Sequence, residues 1–363
     1  MMSTRPAPRR TWRSRRGLLI LGVVVALIAS VGIYLVVNAA KSTACDTVRF
    51  RTAGPAPTVH GRPPLGSGGL AHLLHQAFHG SSPAVYCNDF PDPFVLRVGD
   101  NYYVYSTNTA SYHVPVLTTG GLTGGGSRHD ALPVLPAWSA GDEVWAPSVL
   151  QRGSAFILYY ATRPQNSNKL CISAAISASP TGPFVDRSPG PIVCPPSGAI
   201  DPSPFVDASG QGYLLFKNDG AAPRITSQPI DASGLHLVGT PATLLTPDQP
   251  WEDHVVEAPS MVRDGNRYYL FYSGGKWNTA DYAIGYAVCA SPSGPCTKAL
   301  DHPWLGSNFT AQGPGGQEFF TDPSGQQWMV LHAWVHDKVG YPFGARNLFV
   351  LRVVFVGGVP EAA

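Results

Sequence analysis

A strand–turn–strand pattern recurs at one period along most of this chain. In its fullest copy, residues 251–275, a short apolar run leads into the turn RDGN and an aromatic strand follows. Asp-Gly in such a turn is typical of a β-hairpin. The aromatic residue that opens the second strand recurs at steps of 54, 57, 55 and 60 residues, at Tyr102, Phe156, Tyr213, Tyr268 and Trp328. Five hairpins at one period predict an all-β, five-bladed β-propeller.

The amino terminus has a different character from the repeats. Residues 1–16 carry six Arg and no acid, and residues 17–40 carry no charge. The apolar run matches the roughly 20 residues that cross a bilayer as a helix. Because Arg precedes it, we expect a cytoplasmic segment at 1–16, a transmembrane or signal-anchor helix at 17–40, and an extracellular remainder of a single-pass membrane protein. Secretion after cleavage near Ala40 or Ala44 is the alternative.

The exported part is acidic, although the whole chain is not. Without the six Arg, 19 Lys and Arg face 23 Asp and Glu, a net charge of −4. This balance provides no basic face for phosphates, so we expect no nucleic-acid partner. Residues 41–86 are predicted to be a linker with a short helix. Residues 87–363 are predicted to form one catalytic propeller, which we expect to be monomeric.

All six cysteines lie beyond the predicted helix. An even number of cysteines in an oxidising compartment predicts disulfides, although the sequence alone leaves 15 connectivities open. Two pairs are close in sequence and each falls within one repeat. A third pair would then tie the juxtamembrane segment to the first blade. The pairs are Cys171–Cys194, Cys289–Cys296 and Cys45–Cys87.

Three acids stand at similar places in three repeats. Asp92, Asp201 and Glu257 each lie just ahead of a Pro, before the apolar run of the first strand. Equivalent positions of successive blades are arranged around one axis, so these acids should converge in the central channel, with Trp145 beside them. Clustered carboxylates repel each other and raise at least one pKa, which favours a functional role over packing. A calcium site is the alternative.

A protonated carboxyl facing an ionised one is the arrangement that cleaves glycosidic bonds. The sequence resembles glycoside hydrolase family 43, the five-bladed arabinanase and xylosidase family, from about residue 89 to residue 356. The motifs that carry the resemblance are FPDPFVLRVGDNYYVYST, VWAPSVL, IDPSPFVD, VEAPSMVRDGNRYYLFYSGG and GPGGQEFFTDPSGQQWMVLHAW.

The resemblance implies a role for each matching residue. Asp92 would be the general base, Glu257 the general acid, and Asp201 the third carboxylate, which tunes and orients the acid. Trp145 would form an aromatic wall of the sugar pocket, and Arg346 would lie near its floor. These roles imply hydrolysis of arabinofuranose- or xylose-containing polysaccharides or oligosaccharides with inversion.

Three further residues are candidates for substrate binding. His254 and Trp277 flank the fourth hairpin, where loop packing is the alternative, and His332 belongs to the matching motif LHAW, where a core histidine is the alternative. Family members often have Gly-Pro-Gly-His in the fifth blade, and that His belongs to an axial ion or ligand network. This chain reads GPGG at residues 313–316, so we expect no cofactor and assign no metal ligand, with a channel calcium ion as the alternative.

Two other functions fit the same repeats. One is a non-catalytic, cell-surface propeller that binds glycans, although binding alone has little use for a repelling cluster of acids. The other is a retaining propeller hydrolase of the fructan-cleaving type, in which Asp92 would be the nucleophile.

Overall fold

The structure of this chain is a computed structural model that describes residues 47–49, 81–120, 127–308, 311–335 and 338–362. The predicted membrane helix at 17–40 and the predicted short helix within 41–86 lie outside these residues. No helix among the described residues is long and apolar enough to cross a membrane.

The described residues form strands joined by turns, with a 3-10 helix at Pro250–Glu252. The strands are β1 (Thr47–Arg49), β2 (Ser81–Tyr86), β3 (Phe94–Val98), β4 (Asn101–Tyr105), β5 (Pro115–Thr119), β6 (Ser127–Asp130), β7 (Ser139–Arg152), β8 (Ala155–Pro164), β9 (Cys171–Ser177), β10 (Ala199–Val206), β11 (Gly212–Asn218), β12 (Arg224–Ile230), β13 (Ala242–Leu245), β14 (Glu257–Asp264), β15 (Arg267–Gly274), β16 (Ala283–Cys289), β17 (Cys296–Lys298), β18 (Ala311–Thr321), β19 (Gln327–Val335), β20 (Arg346–Val356) and β21 (Val359–Ala362).

These strands pair into five antiparallel sheets. Four sheets follow the chain order, as β3-β4-β5-β6, β7-β8-β9, β10-β11-β12-β13 and β14-β15-β16-β17. The fifth has the order β1-β2-β20-β19-β18, with β21 paired to β20. The innermost strands contact one another in a closed ring, β3 to β7, β10, β14, β18 and back to β3. This arrangement confirms the predicted five-bladed propeller.

The hairpin repeat is confirmed in detail. The first two strands of every blade pair as a hairpin, through a two-residue turn in three blades, as in Asp264↔Arg267, and through a five-residue turn in the third and fifth. The repeating aromatic residue is the second residue of the second strand in all five blades. Successive side chains of each second strand point to opposite faces of the blade. Because the aromatic residue has the same place in all five strands, it lies on the equivalent face of every blade.

The core lies between adjacent blades. Tyr105 and Tyr160 are fully buried between the first two blades, and Leu270 and Tyr272 are buried between the third and fourth. Burying a large apolar side chain contributes about 1.5–3 kcal/mol. Contacts of this kind also join the second blade to the third and the fifth to the first. The inter-blade layers therefore hold the inner strands rigidly around the axis.

The last blade contains strands from both ends of the described chain. β2 pairs with β20 through Ala84↔Phe349 and Tyr86↔Leu348, and β1 extends the sheet beyond β2. Both strands fall within residues 41–86, the segment for which the sequence predicts a linker. Backbone pairing, rather than an apolar repeat, recruits this segment into the propeller.

Two of the predicted disulfides are present. Cys171–Cys194 links the start of β9 to the segment that follows it, and Cys289–Cys296 links β16 to β17. Cys87 also takes part in a disulfide, and its predicted partner Cys45 lies outside the described residues. Two of the three predicted pairs are therefore confirmed, and Cys45–Cys87 stays a prediction.

Candidate active site

A cavity of about 1030 Å³ opens where the inner strands begin. It brings together most of the residues that the sequence singles out. Those that line it are Asp92, Asp201, Glu257, Trp145, Trp277 and Arg346. The convergence follows from the ring of inner strands, since each strand begins beside the same axis.

An unusual backbone conformation aims the side chains into this cavity. One residue within each inner strand, or just ahead of it in the first blade, has a positive φ between 45° and 59°, at Asp92, Ala146, Asp201, Ala258 and Gly316. Four of the five are not glycine, and such residues rarely adopt this left-handed region. In the last four blades the pairing register shifts at this residue, which marks a β-bulge. Bulges next to active sites re-aim side chains, and this one recurs around the ring.

The bulge corrects the alignment of the three acids. Asp92 and Asp201 occupy the left-handed position of their blades, but the fourth blade has Ala258 there. Glu257 lies one residue earlier, at the position that Trp145 occupies in the second blade. Glu257 therefore enters the cavity from a different backbone direction than the two aspartates.

Asp92 accepts hydrogen bonds from donors of two blades. The Thr107 hydroxyl donates to its Oδ2 at 2.6 Å, and the Arg346 guanidinium Nη1 lies 3.4 Å from its Oδ1. Thr107 Oγ1 also accepts the backbone N–H of Ala146 at 2.9 Å, which ties the first blade to the second. Donors on both oxygens form a suitable environment for an ionised carboxylate.

His332 lies behind Asp92 and is fully buried, so the structure does not place it in the cavity wall. Its Nδ1 accepts the backbone N–H of Asp92 at 3.0 Å. Burial lowers the pKa of His332 well below its ordinary value, and the nearby Arg346 charge lowers it further. The imidazole is therefore neutral and holds the backbone of Asp92, a role that the sequence analysis did not foresee.

Gly316 explains how His332 reaches this place. A side chain at residue 316 would begin 2.6 Å from the His332 ring and 3.0 Å from Asp92 Oδ1. The glycine therefore leaves room for the histidine of the neighbouring strand. A metal ligand at residue 316, as in family members with Gly-Pro-Gly-His, does not fit here. Among the described residues, no three His, Cys, Asp or Glu side chains are grouped to hold a metal ion.

Glu257 is buried and both of its oxygens have partners. The Lys217 ammonium Nζ lies 2.8 Å from Oε2, and the Tyr282 hydroxyl donates to Oε1 at 2.8 Å. Lys217 also lies 3.0 Å from Asp219 Oδ1. Burial alone would lower the pKa of Lys217, but the charges of Glu257 and Asp219 outweigh it and raise this pKa. Lys217 therefore keeps its proton and its positive charge beside the predicted general acid.

Asp201 has the opposite electrostatic environment. Burial raises its pKa well above the ordinary value, and the negative charges of Glu257 and Asp92 raise it further. The Lys217 charge and the hydrogen bond from the Ala258 backbone N–H, 2.9 Å from Asp201 Oδ2, act in the other direction without cancelling the effect. The surroundings of Asp201 therefore favour its protonated form.

Arg346 lies in an aromatic cage. Its guanidinium carbon is 4.8 Å from the Trp277 ring centre and 5.7 Å from that of Tyr341, and Trp334 completes the cage. The Tyr341 hydroxyl donates to Asp89, whose carboxylate also accepts the Arg346 backbone N–H at 2.9 Å. These contacts fix the guanidinium beside Asp92 and leave Trp277, partly exposed, at the cavity wall.

The remaining candidates differ in their position. Trp145 lines the cavity and packs against Ala161, Leu170 and Ile200, which supports its predicted place in the wall. His254 is exposed and does not line the cavity, because it follows the 3-10 helix and adopts a left-handed conformation. The predicted role of His254 in substrate binding is therefore not supported by this geometry.

Sequence reasoning missed several residues that contact the acids. Lys217 and Asp219 follow the apolar part of β11, and this polar end of a buried strand was a usable signal. Thr107 and Tyr282 contact acids of their own blades, at sequence separations of 15 and 25 residues, and no local pattern in the sequence indicates those contacts.

Comparisons with known proteins agree with the fold and the cavity. Residues 83–360 match the family described as Glycosyl hydrolases family 43. A probable arabinan endo-1,5-α-L-arabinosidase A of Aspergillus flavus is 30% identical over 315 residues, which cover 76% of this chain and 91% of that protein. A β-D-galactofuranosidase of Aspergillus niger is 24% identical over 268 residues, 67% of this chain and 73% of that protein.

The solved structures show the same architecture. A thermostable family-43 glycoside hydrolase superposes with a TM-score of 0.68 at 25% identity, covering 76% of this chain and 93% of that one. The sequence match spans most of the propeller, including all three acids of the cavity. The chain therefore belongs to glycosyl hydrolases family 43 and is a glycoside hydrolase.

Proposed function

We propose that the cavity hydrolyses glycosidic bonds in arabinofuranose- or xylose-containing polysaccharides and oligosaccharides with inversion of configuration. In this mechanism Asp92 deprotonates the attacking water, Glu257 protonates the leaving oxygen, and Asp201 tunes Glu257. The observation that carries the proposal is the contrast between two neighbouring environments. Asp92 is surrounded by donors, whereas burial and nearby acids raise the pKa of Asp201.

This contrast matches what the reaction needs. Inverting hydrolysis requires one carboxylate and one carboxylic acid at the same pH. Arg346 and Thr107 supply donors to Asp92, and burial and the neighbouring charges favour a proton on Asp201, next to Glu257. A general base and a general acid can therefore act together at one pH.

Arabinan is the preferred substrate in this proposal. The relative from Aspergillus flavus is named as an arabinan endo-1,5-α-L-arabinosidase, and the sequence match covers most of both proteins. At about 1030 Å³ the cavity is at the upper end of the range for small-molecule sites, which run to about 1000 Å³. The aromatic side chains Trp145 and Trp277 in its wall provide apolar faces suited to sugar rings.

The activity is tested with the purified full-length protein in a mild non-ionic detergent. Linear arabinan and chromogenic α-L-arabinofuranoside, β-D-xyloside and β-D-galactofuranoside are the substrates, and the measurement is the release of reducing sugar or chromophore. We expect turnover of an arabinose- or xylose-containing substrate that Asp92→Asn abolishes. Binding of these glycans without turnover would instead support a non-catalytic propeller.

The roles of the two catalytic acids are tested by leaving-group chemistry. A substrate with a good leaving group needs little protonation, so it should partly rescue Glu257→Gln but not Asp92→Asn. NMR of the first sugar released distinguishes inversion from retention. Retention would contradict the assignment of Asp92 as general base and favour Asp92 as nucleophile.

We also propose that the propeller acts outside the cell, tethered by residues 17–40. Support comes from the uncharged run after six Arg and from the disulfides Cys171–Cys194 and Cys289–Cys296, which form in oxidising compartments. Fractionation should leave the full-length protein in the membrane, with its propeller accessible to external protease. Quantitative release of a fragment that begins near residue 41 or 45 would instead mean a cleaved signal.

A further inference from the structure

Lys217 is a buried cation in direct contact with the predicted general acid. Its Nζ lies 2.8 Å from Glu257 Oε2, and the Tyr282 hydroxyl donates to the other oxygen of the same carboxyl. With an ammonium on one oxygen and a hydroxyl on the other, Glu257 is in the environment of a carboxylate. A general acid must nevertheless carry a proton when the bond breaks. Both Glu257 oxygens therefore accept contacts from donors, whereas the reaction needs a proton on one of them.

Two features of the pocket resolve this conflict. The first is Asp201, a neighbouring acid whose surroundings favour its protonated form. The second is Asp219, whose Oδ1 lies 3.0 Å from the same Lys217 Nζ and which remains partly exposed in the cavity wall. The ammonium is therefore shared between two carboxylates, and only one of them takes part in the reaction.

We propose that Lys217 is a positioning residue that determines which carboxyl of the Asp201–Glu257 pair carries the proton. While Lys217 contacts Glu257, the proton stays on Asp201. When Lys217 moves wholly to Asp219, the proton passes from Asp201 to Glu257, which then donates it to the leaving oxygen. This inference rests on the proposed function of Glu257 and adds a control of its protonation.

The proton balance of this step is closed. The ammonium keeps its three protons throughout, and one proton moves from the Asp201 carboxyl to the Glu257 carboxylate. The net charge of the pocket does not change, so no external acid is needed. Over the whole reaction Asp92 gains one proton from water and Glu257 gives one to the leaving oxygen, and exchange with solvent then returns both carboxyl groups to their starting states.

The charges that act on the proton shared by Asp201 and Glu257 come from several elements of the fold. Lys217 and Asp219 belong to β11 and its end, Asp201 to β10, and Glu257 to β14. The charges of Asp201 and Asp92 also reach Tyr282, whose pKa burial raises well above its ordinary value, so the hydroxyl stays protonated as a donor. The neutral donor Tyr282 cannot replace the positive charge of Lys217.

Three variants test the inference through the pH profile of kcat/KM, measured on a glycoside with a poor leaving group. Lys217→Met should move the basic limb to higher pH by about 1–3 units, the size of the effect of an adjacent opposite charge. Lys217→Arg keeps the charge and should leave the limb within about half a unit of the wild-type limb, even if its rate falls. Asp219→Asn should move the limb to lower pH, because Lys217 then has only Glu257 as a charged acceptor.

These outcomes separate a protonation role from a structural one. A structural role for Lys217 would lower the rate of Lys217→Met at every pH and leave the limb in place, which would overturn the inference. If Lys217→Met does not fold, the direction of the shift in Asp219→Asn decides. A limb that stays or moves to higher pH in Asp219→Asn would also overturn it.

A second measurement does not depend on turnover. Carboxyl ¹³C NMR of the full-length protein follows the protonation of Asp201 and Glu257 directly. The Glu257 resonance should titrate at higher pH in Lys217→Met than in the wild type. Unchanged titrations would refute the role of Lys217, whereas a wild-type protein that cleaves no glycoside would refute the proposed function alone.

Discussion

Glu318 is an acid of the cavity to which the proposed reaction gives no role, and it offers a quantitative test of the electrostatics. It lies on β18 and lines the cavity, and the Ser260 hydroxyl donates to its Oε2 at 2.5 Å. Burial raises its pKa from the ordinary 4.5 to about 8, and hydrogen bonds from Ser260 and Ser203 limit the rise. The folded protein therefore holds a proton on Glu318 that the unfolded chain releases above pH 4.5.

The sign of the effect on stability follows from this difference. Between pH 4.5 and about pH 8 the folded state binds the extra proton, so the free energy of unfolding falls as the pH rises. The stabilisation by the proton on Glu318 is complete below pH 4.5 and is lost above about pH 8. At about 1.4 kcal/mol per pH unit the full shift corresponds to about 5 kcal/mol. Because Glu318 keeps partial solvent exposure, we expect about 1–3 kcal/mol.

The variant Glu318→Gln removes the titrating group and keeps its size and hydrogen bonding. We expect its free energy of unfolding to exceed that of the wild type by about 1–3 kcal/mol at high pH and to equal it near pH 4. Urea unfolding followed by tryptophan fluorescence at several pH values measures the difference. Glu143→Gln, which removes a surface carboxylate paired with Arg163, is the matched control.

Parallel curves for wild type and Glu318→Gln across this range would refute the reasoning. They would mean that Glu318 ionises in the folded protein as freely as in the unfolded chain. A difference that grows towards low pH would contradict the sign itself, since it would require a carboxylate stabilised by folding.

Three other predictions concern the acids and the scaffold. Thr107→Val should lower kcat/KM about 10- to 100-fold, because a hydrogen bond to a charged group contributes about 1.5–3 kcal/mol, whereas Thr107→Ser should retain activity in the same assay. Lys298→Met should lower the free energy of unfolding by about 3–5 kcal/mol in urea titrations, because fully buried Glu252, 2.6 Å away, loses its counter-charge; an unchanged midpoint would contradict this. Replacing both Cys289 and Cys296 by Ser should cost about 2 kcal/mol by the same measurement, and an unchanged midpoint would contradict this.

The propeller could be predicted because its signal is local and repeated. Each hairpin carries its own turn and its own aromatic residue, so five copies reinforce one interpretation. The convergence of Asp92 and Asp201 followed from the same symmetry. The exact position of Glu257 relative to the two aspartates did not follow from it. A β-bulge shifts the pairing register within β14, and Glu-Ala-Pro has one residue more before the proline than Asp-Pro has.

The contacts of the acids were beyond the reach of the sequence for a physical reason. Lys217 meets Glu257 at a separation of 40 residues, and His332 meets Asp92 at a separation of 240. Such pairs depend on which blade faces which and on side-chain direction, and neither is encoded in a local pattern. The pairing of β2 with the last blade was missed for the same reason, since residues 81–86 carry no repeat of their own.

That pairing of β2 with β20 also sets an order of events in the life of the protein. The last sheet needs strands from near both ends of the propeller, so β2 must wait for β20 to be synthesised. Four blades can assemble as the chain emerges, but the last blade stays incomplete until β20 arrives. If the propeller is translocated unfolded, β2 crosses the membrane long before β20 does. A nick within 81–86, or a truncation before residue 346, would therefore leave a nearly complete chain whose last blade lacks this pairing.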